Sequence, residues 1–88
     1  MNGEDIDSTN IIAKYTMAIT VSMTGLGAHT IRRYEEAGLL SPSRTDGGQR
    51  LYSERDIEHI REISRLGQKG INFEGIKAII AMRKGKQV

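Results

Sequence analysis

Two adjacent arginines, Arg32 and Arg33, follow His29 by three and four residues, and two more, Arg44 and Arg50, flank the run Asp46, Gly47, Gly48. A guanidinium group offers a planar fork of donors that matches the oxygens of phosphates and carboxylates. Other chemistries are excluded by residue type. There is no Cys, hence no disulfide framework, thiolate metal site or Cys nucleophile. His29 and His59 lie 30 residues apart on different predicted helices, and no nucleophile stands beside a base. The sequence therefore predicts a non-enzyme with neither metal nor cofactor.

The formal charge of +2 averages two unlike parts. Residues 1–13 hold Glu4, Asp5, Asp7 and no base, which is −3, whereas the body holds 13 bases against 8 acids, which is +5. The expected organisation is a disordered acidic tail over 1–14, a folded domain over 15–82 and a frayed basic end over 83–88. A body of this charge suits a polyanionic partner. Apolar runs are only a few residues long and the first residues do not read as a signal peptide, so a cytoplasmic protein is expected.

Four helices and a hairpin must position the arginines. Thr16 is an N-cap type ahead of a short helix that breaks at Thr24, Gly25, Leu26, Gly27. A second helix starts at Ala28 behind the weak N-cap Gly27, with Leu26 and Ile31 at staple spacing. It ends at Gly38, a left-handed C′ residue followed by apolar Leu39. Ile31 and Tyr34 face the core, leaving Ala28, His29, Arg32 and Arg33 on the other side. Its bases sit in the middle and its acids at the C-terminal end, the reverse of what complements a helix dipole.

Pro42 prevents continuation. Residues 43–52 predict a short hairpin with a basic tip around the Asp46, Gly47 turn signal. Ser53 and Asp56 approximate a capping box for a third helix, whose Ile57, Ile60, Ile63 and Leu66 form an apolar stripe and which ends at Gly67 or Gly70. Asn72 caps a fourth helix, with Ile71 stapled to Ile76 and a buried face of Ile76, Ile79 and Ile80. Two short helices joined by a glycine turn make a helix-turn-helix, and the hairpin beside it makes a wing. The fold class is mainly α: a winged helix-turn-helix of four helices with a small β-hairpin wing.

Three runs in order carry a family resemblance: Thr30, Ile31, Arg32, Arg33, Tyr34, Glu35 followed by Gly38, Leu39, Leu40, Ser41, Pro42, Ser43, Arg44; then Gly48, Gln49, Arg50, Leu51, Tyr52; then Asp56 with Ile57, Ile60 and Ile63 and the helix that ends near Ile80. Over about three quarters of the chain this resembles the DNA-binding domain of the MerR family of bacterial transcription regulators. The stretch 70–77 is most similar to the heat-shock and glutamine-synthetase repressor branches. Ala18 and Ile19 depart from the Gly and Glu that most members carry, and Gly27 departs from a Ser-type N-cap.

The resemblance implies sequence-specific binding to double-stranded DNA as the reading head of a regulator, with repression favoured. It also implies a homodimer through a long C-terminal helix, and RNA polymerase as a partner at the promoter. Neither that helix nor a sensing region is visible, so the chain reads as an excised domain or a short member.

The second helix would enter the major groove, where Ala28 and His29 point at bases, Thr30 stands beside them, and Arg32, ahead of Arg33, makes a bidentate guanine contact. The Tyr34 hydroxyl and the wing residues Arg44, Gln49, Arg50 and Tyr52 would hold backbone phosphates, with Lys69 as a second, smaller wing contact. Blander readings stand beside these. Arg32 and Arg33 could pair with Glu35 or Glu36, Tyr34 could be core, His29 a bystander, His59 solvated, and Arg61 and Arg65 paired with nearby acids. Rival functions are an excisionase-like or architectural DNA-bending protein and a winged-helix protein-interaction module.

Overall fold

A computed structural model describes residues 10–86, with side chains to residue 83. Residues 1–9, and with them most of the expected acidic tail, lie outside the described residues. The order of elements is α1 (Met17–Thr24), α2 (Ala28–Glu36), β1 (Ser43–Arg44), β2 (Arg50–Leu51), α3 (Glu54–Gln68) and α4 (Phe73–Lys86). The mainly helical winged helix-turn-helix expected from the sequence is the fold observed.

Local capping fixes the helix ends. The Thr16 hydroxyl accepts from the Ile19 amide at 3.3 Å at the start of α1. At α3 the capping box is complete: the Ser53 amide donates to Asp56 Oδ2 at 2.9 Å and the Asp56 amide to Ser53 Oγ at 3.1 Å. Asp at this position therefore reaches back as Glu would. Asn72 Oδ1 accepts from the Gly75 amide at 2.8 Å to open α4.

Two helices end the same way. After α2 the amides of Gly38 and Leu39 donate to the carbonyls of Glu35 and Tyr34; after α3 those of Gly70 and Ile71 donate to Gly67 and Leu66. Both are Schellman ends, and the positive φ of Gly38 (81°) and Gly70 (91°) is what each requires. Gly70, not Gly67, is thus the stop signal of α3.

The core joins Ile31 and Tyr34 of α2, Leu39, Leu40, Tyr52, the stripe Ile57, Ile60, Ile63 and Leu66, and Ile76 of α4. Burying such side chains contributes about 1.5–3 kcal/mol each before entropy is counted. On α1 the deeply buried residue is Thr20, and Ile19 and Met23, one turn apart, are partly exposed at 47% and 37%. The α1 carbonyl of Met23 accepts from Arg61 Nη2 of α3 at 2.9 Å, so Arg61 ties two helices rather than pairing with an acid.

The wing is antiparallel, with Ser43 opposite Leu51 and Arg44 opposite Arg50. Its turn is closed by the Gly48 amide donating to the Thr45 carbonyl at 2.9 Å, and the left-handed residue is Gly48. The arginines therefore sit in the strands, behind a tip of Thr45, Asp46, Gly47, Gly48 and Gln49. Tyr15 and Tyr52 form a further antiparallel bridge that fastens the start of the domain to the second wing strand. At the other end α4 continues to Lys86, beyond Met82, after which the sequence predicts fraying. Arg83 joins Arg65 on the Glu62 carboxylate of α3.

Candidate nucleic-acid interface

Helical spacing divides α2 into three stripes. Ile31 and Tyr34 are buried. His29 and Arg33 point away from the core, and Arg32 lies beside them on the stripe that leads from Ala28 to Glu35. His29, Arg32 and Arg33 are all exposed, while Ala28 and Thr30 are half-buried. Among the described residues Arg32 has no hydrogen bond or ion pair, so its five donors are available. The His29 Nε2 lies 3.4 Å from the Thr30 hydroxyl.

Both flanks of this face are built up. On one, Glu35 receives Arg50 Nε at 2.6 Å and Arg44 Nη2 at 3.0 Å, so both wing arginines dock on α2 through a single carboxylate. The hydrogen bond to Glu35 holds the Arg50 pKa above its usual value. On the other flank the Arg33 guanidinium lies 5.5 Å from the centroid of the Phe73 ring at the start of α4. Phe73 in turn meets Tyr34 edge to face.

Sequence reasoning misses Glu35, although a signal points to it. An acid in the last turn of a helix is unfavourable to that helix. The misplacement has its explanation in the wing, which supplies two cations. Glu35 thus partners the wing instead of Arg32 or Arg33.

The remaining expected site residues divide. Gln49 is exposed in the wing turn, its amide donating to Thr45 Oγ1 at 3.1 Å. Arg44 also donates from Nη1 to the Gly48 carbonyl at 3.1 Å, bracing the turn from below. Tyr34 is core by its ring, and its hydroxyl has no intramolecular partner among the described residues. Lys69 is the exposed C-cap of α3, and no hydrogen bond or ion pair ties it to α2 or the wing.

Tyr52 is a correction. It is 0% exposed, its hydroxyl reaches Met17 Sδ at 3.8 Å, and burial raises its pKa. Its ring belongs to the core, so Tyr52 supports the second wing strand from beneath and offers no hydroxyl to solvent. His59, expected on the solvated face of α3, is half-buried and lines a shallow groove with Gly38, Leu39 and Lys77.

Among the described residues no helix is long and apolar enough to cross a membrane. No group of three or more His, Asp or Glu residues could hold a metal ion there. The arrangement is that of a reader of an anionic surface: one exposed helix face bearing His29, Arg32 and Arg33, with a cationic hairpin held beside it.

Comparison with known proteins agrees. Residues 15–83 match the model of the MerR HTH family regulatory protein. The chain is similar to the heat shock protein HspR of Streptomyces coelicolor, 45% identical over 69 residues, which cover 77% of this chain and 46% of that protein. It is 39% identical over 72 residues to the HTH-type transcriptional regulator GlnR of Bacillus anthracis, covering 82% of this chain and 56% of that one. The chain spans about half the length of these curated relatives.

Among solved structures it resembles HiNmlR, a MerR family regulator lacking the sensor domain and bound to promoter DNA. There the TM-score is 0.74 at 27% identity, over 78% of this chain and 53% of that one. It also resembles the N-terminus of MtaN, the Bacillus subtilis multidrug transporter activator, with a TM-score of 0.70 at 31% identity, over 76% and 64% of the two chains.

Proposed function

Because the chain belongs to the MerR family of helix-turn-helix regulatory proteins, we propose that it is the DNA-reading head of a bacterial transcription regulator. The observation that carries this reading is the Glu35 clamp, which sets the wing's cations beside the exposed face of α2.

With α2 in the major groove, Ala28 and His29 face base edges at its N-terminal end, with Thr30 alongside. Arg32 supplies a bidentate contact to guanine, and Arg33 reaches the groove or its rim. Arg44, Arg50 and Gln49 hold the flanking backbone, the free Tyr34 hydroxyl takes a phosphate at the helix edge, and Lys69 adds an outlying one. These contacts fix register and orientation, whereas the helix carries the sequence information. In the cell this head would act in the cytoplasm as half of a homodimer joined by a C-terminal helix. Repression is the favoured outcome, with RNA polymerase as the competitor or partner at the promoter.

The test is titration of the chain with duplex DNA across a range of salt. Affinity should fall linearly with salt on logarithmic axes, by about 0.9 per neutralised phosphate. Amide shifts on binding should cluster on residues 28–36 and 43–52. A salt-independent affinity, or shifts confined to α1 and the end of α4, would refute the reading.

A further inference from the structure

Glu35 is the acid nearest the wing arginines, and its geometry does more than neutralise them. Arg50 is held by Nε alone, at 2.6 Å, which leaves both terminal nitrogens of its guanidinium without a hydrogen-bond partner among the described residues. Arg44 spends one terminal nitrogen on Glu35 and the other on the Gly48 carbonyl. The Glu35 side chain is only 18% exposed, whereas Arg44 and Arg50 remain 46% and 28% exposed. A carboxylate at the root of the two cations thus leaves donors at their outer edge.

We propose that Glu35 is a positioning residue for DNA recognition: it locks the wing to the reading helix at one angle and aims the free fork of Arg50 at a backbone phosphate. This rests on the DNA-reading function proposed above. Glu35 carries a negative charge, so it lowers general attraction for DNA while sharpening the choice of site. Specificity arises because the phosphate contact of the wing and the base contact of Arg32, one turn before Glu35, are held in a single register. Without the carboxylate the wing cations would be freer and less directed.

Three proteins separate these effects: the parent, Glu35→Gln, which removes the charge, and Glu35→Asp, which keeps it but shortens the reach. Each is titrated with a duplex selected by the parent from a random pool and with a scrambled duplex of equal length. In Glu35→Gln the selected-to-scrambled affinity ratio should fall about tenfold, the size of a close charge-pair coupling. Binding to the scrambled duplex should hold or strengthen, with a salt slope steeper by up to about 0.9. In Glu35→Asp the ratio should fall while the slope stays parental.

The Arg50 Nε–H resonance, read without DNA, should be observable in the parent and lost to exchange in Glu35→Gln. Equal weakening toward both duplexes at an unchanged slope would make Glu35 a fold residue only and overturn the proposal, as would no change at all. Failure of the parent to bind any duplex would instead refute the DNA-reading function, whereas the Arg50 resonance would still report whether Glu35 holds the wing.

Discussion

Tyr34 and Phe73 meet edge to face, with ring centroids 5.8 Å apart and planes at 87°. The same Phe73 ring carries the Arg33 guanidinium, so one aromatic side chain at the head of α4 supports both the buried and the exposed side of α2. Phe73→Leu keeps an apolar side chain but is smaller, and it loses both interactions. It should cost about 1–2 kcal/mol, combining an aromatic pair with an exposed cation–π contact. Urea unfolding measures the loss, and a change below about 0.3 kcal/mol would contradict the assigned role.

Thr20 is wholly buried and, among the described residues, its hydroxyl has no hydrogen-bond partner. Leaving such a group unpaired costs about 1–3 kcal/mol. Thr20→Val retains the branched shape and removes the polar atom, so the midpoint of thermal unfolding should rise. A fall would mean that the hydroxyl is satisfied in solution.

Gly27, the N-cap of α2, has no side chain to cap with, and a Cβ there would stand 3.0 Å from the His29 ring atoms Cε1 and Nδ1. Gly27→Ser should gain a few tenths of a kcal/mol of capping. It should also swing the His29 ring away from its place over the helix start. Ring proton shifts of His29 report the movement. If they stay in place while stability rises, the imidazole does not occupy the space shown here.

Burial raises the Tyr52 pKa. In the unfolded chain its phenol ionises near pH 10, by about its reference value, and in the fold it ionises higher. The neutral form is thus favoured by folding. The associated stability is complete below about pH 10 and is lost as pH climbs through the folded pKa. Alkaline denaturation should therefore steepen above about pH 10. Tyr52→Phe, which gives up only a long contact to Met17 Sδ, should flatten it in part. The raised pKa of Lys14, held by its hydrogen bond to Glu54, acts in the same direction.

Arg32→Ala and Arg50→Ala should weaken DNA binding differently. The first removes a base contact and should cost about 1–3 kcal/mol, with relaxed discrimination at one position. The second removes a phosphate contact together with the Arg50 half of the Glu35 clamp, so it should weaken both duplexes, lower the salt slope by about one and narrow the selected-to-scrambled ratio without relaxing the choice of base at any single position. Parallel binding isotherms against a selected and a scrambled duplex distinguish them. Identical behaviour of the two variants would dissolve the division between helix and wing.

Much of this architecture is written in short-range patterns. The Schellman end at Gly38 and Leu39, the Ser53 and Asp56 box and the Asn72 cap all depend on residues within five positions of one another, and the stripe of α3 on a repeat of three, where backbone geometry fixes what can meet. The exposure of the candidate interface is legible to the same extent: His29, Arg32 and Arg33 are exposed because Ile31 and Tyr34 must be buried. The missed features are contacts across elements. Glu35 meets Arg44 and Arg50 from 9 and 15 residues away. Arg33 meets Phe73 only because α4 returns to α2. Tyr52 reads as a wing contact to DNA because a strand's two faces look alike until the packing side is known.

The bridge between Tyr15 and Tyr52 also bears on how the chain assembles. The Tyr52 amide donates to the Tyr15 carbonyl at 2.8 Å and the Tyr15 amide donates back to the Tyr52 carbonyl at 2.9 Å. Helix ends and the hairpin can form early, since their partners are neighbours in the chain, but this ladder must gather α1, α2 and the wing into one closed loop. Loop closure costs entropy before any contact rewards it. The bridge is therefore expected to form late in folding and to open early in unfolding. Amide exchange at Tyr15 should then be the first sign of unfolding, ahead of the amides that build α3.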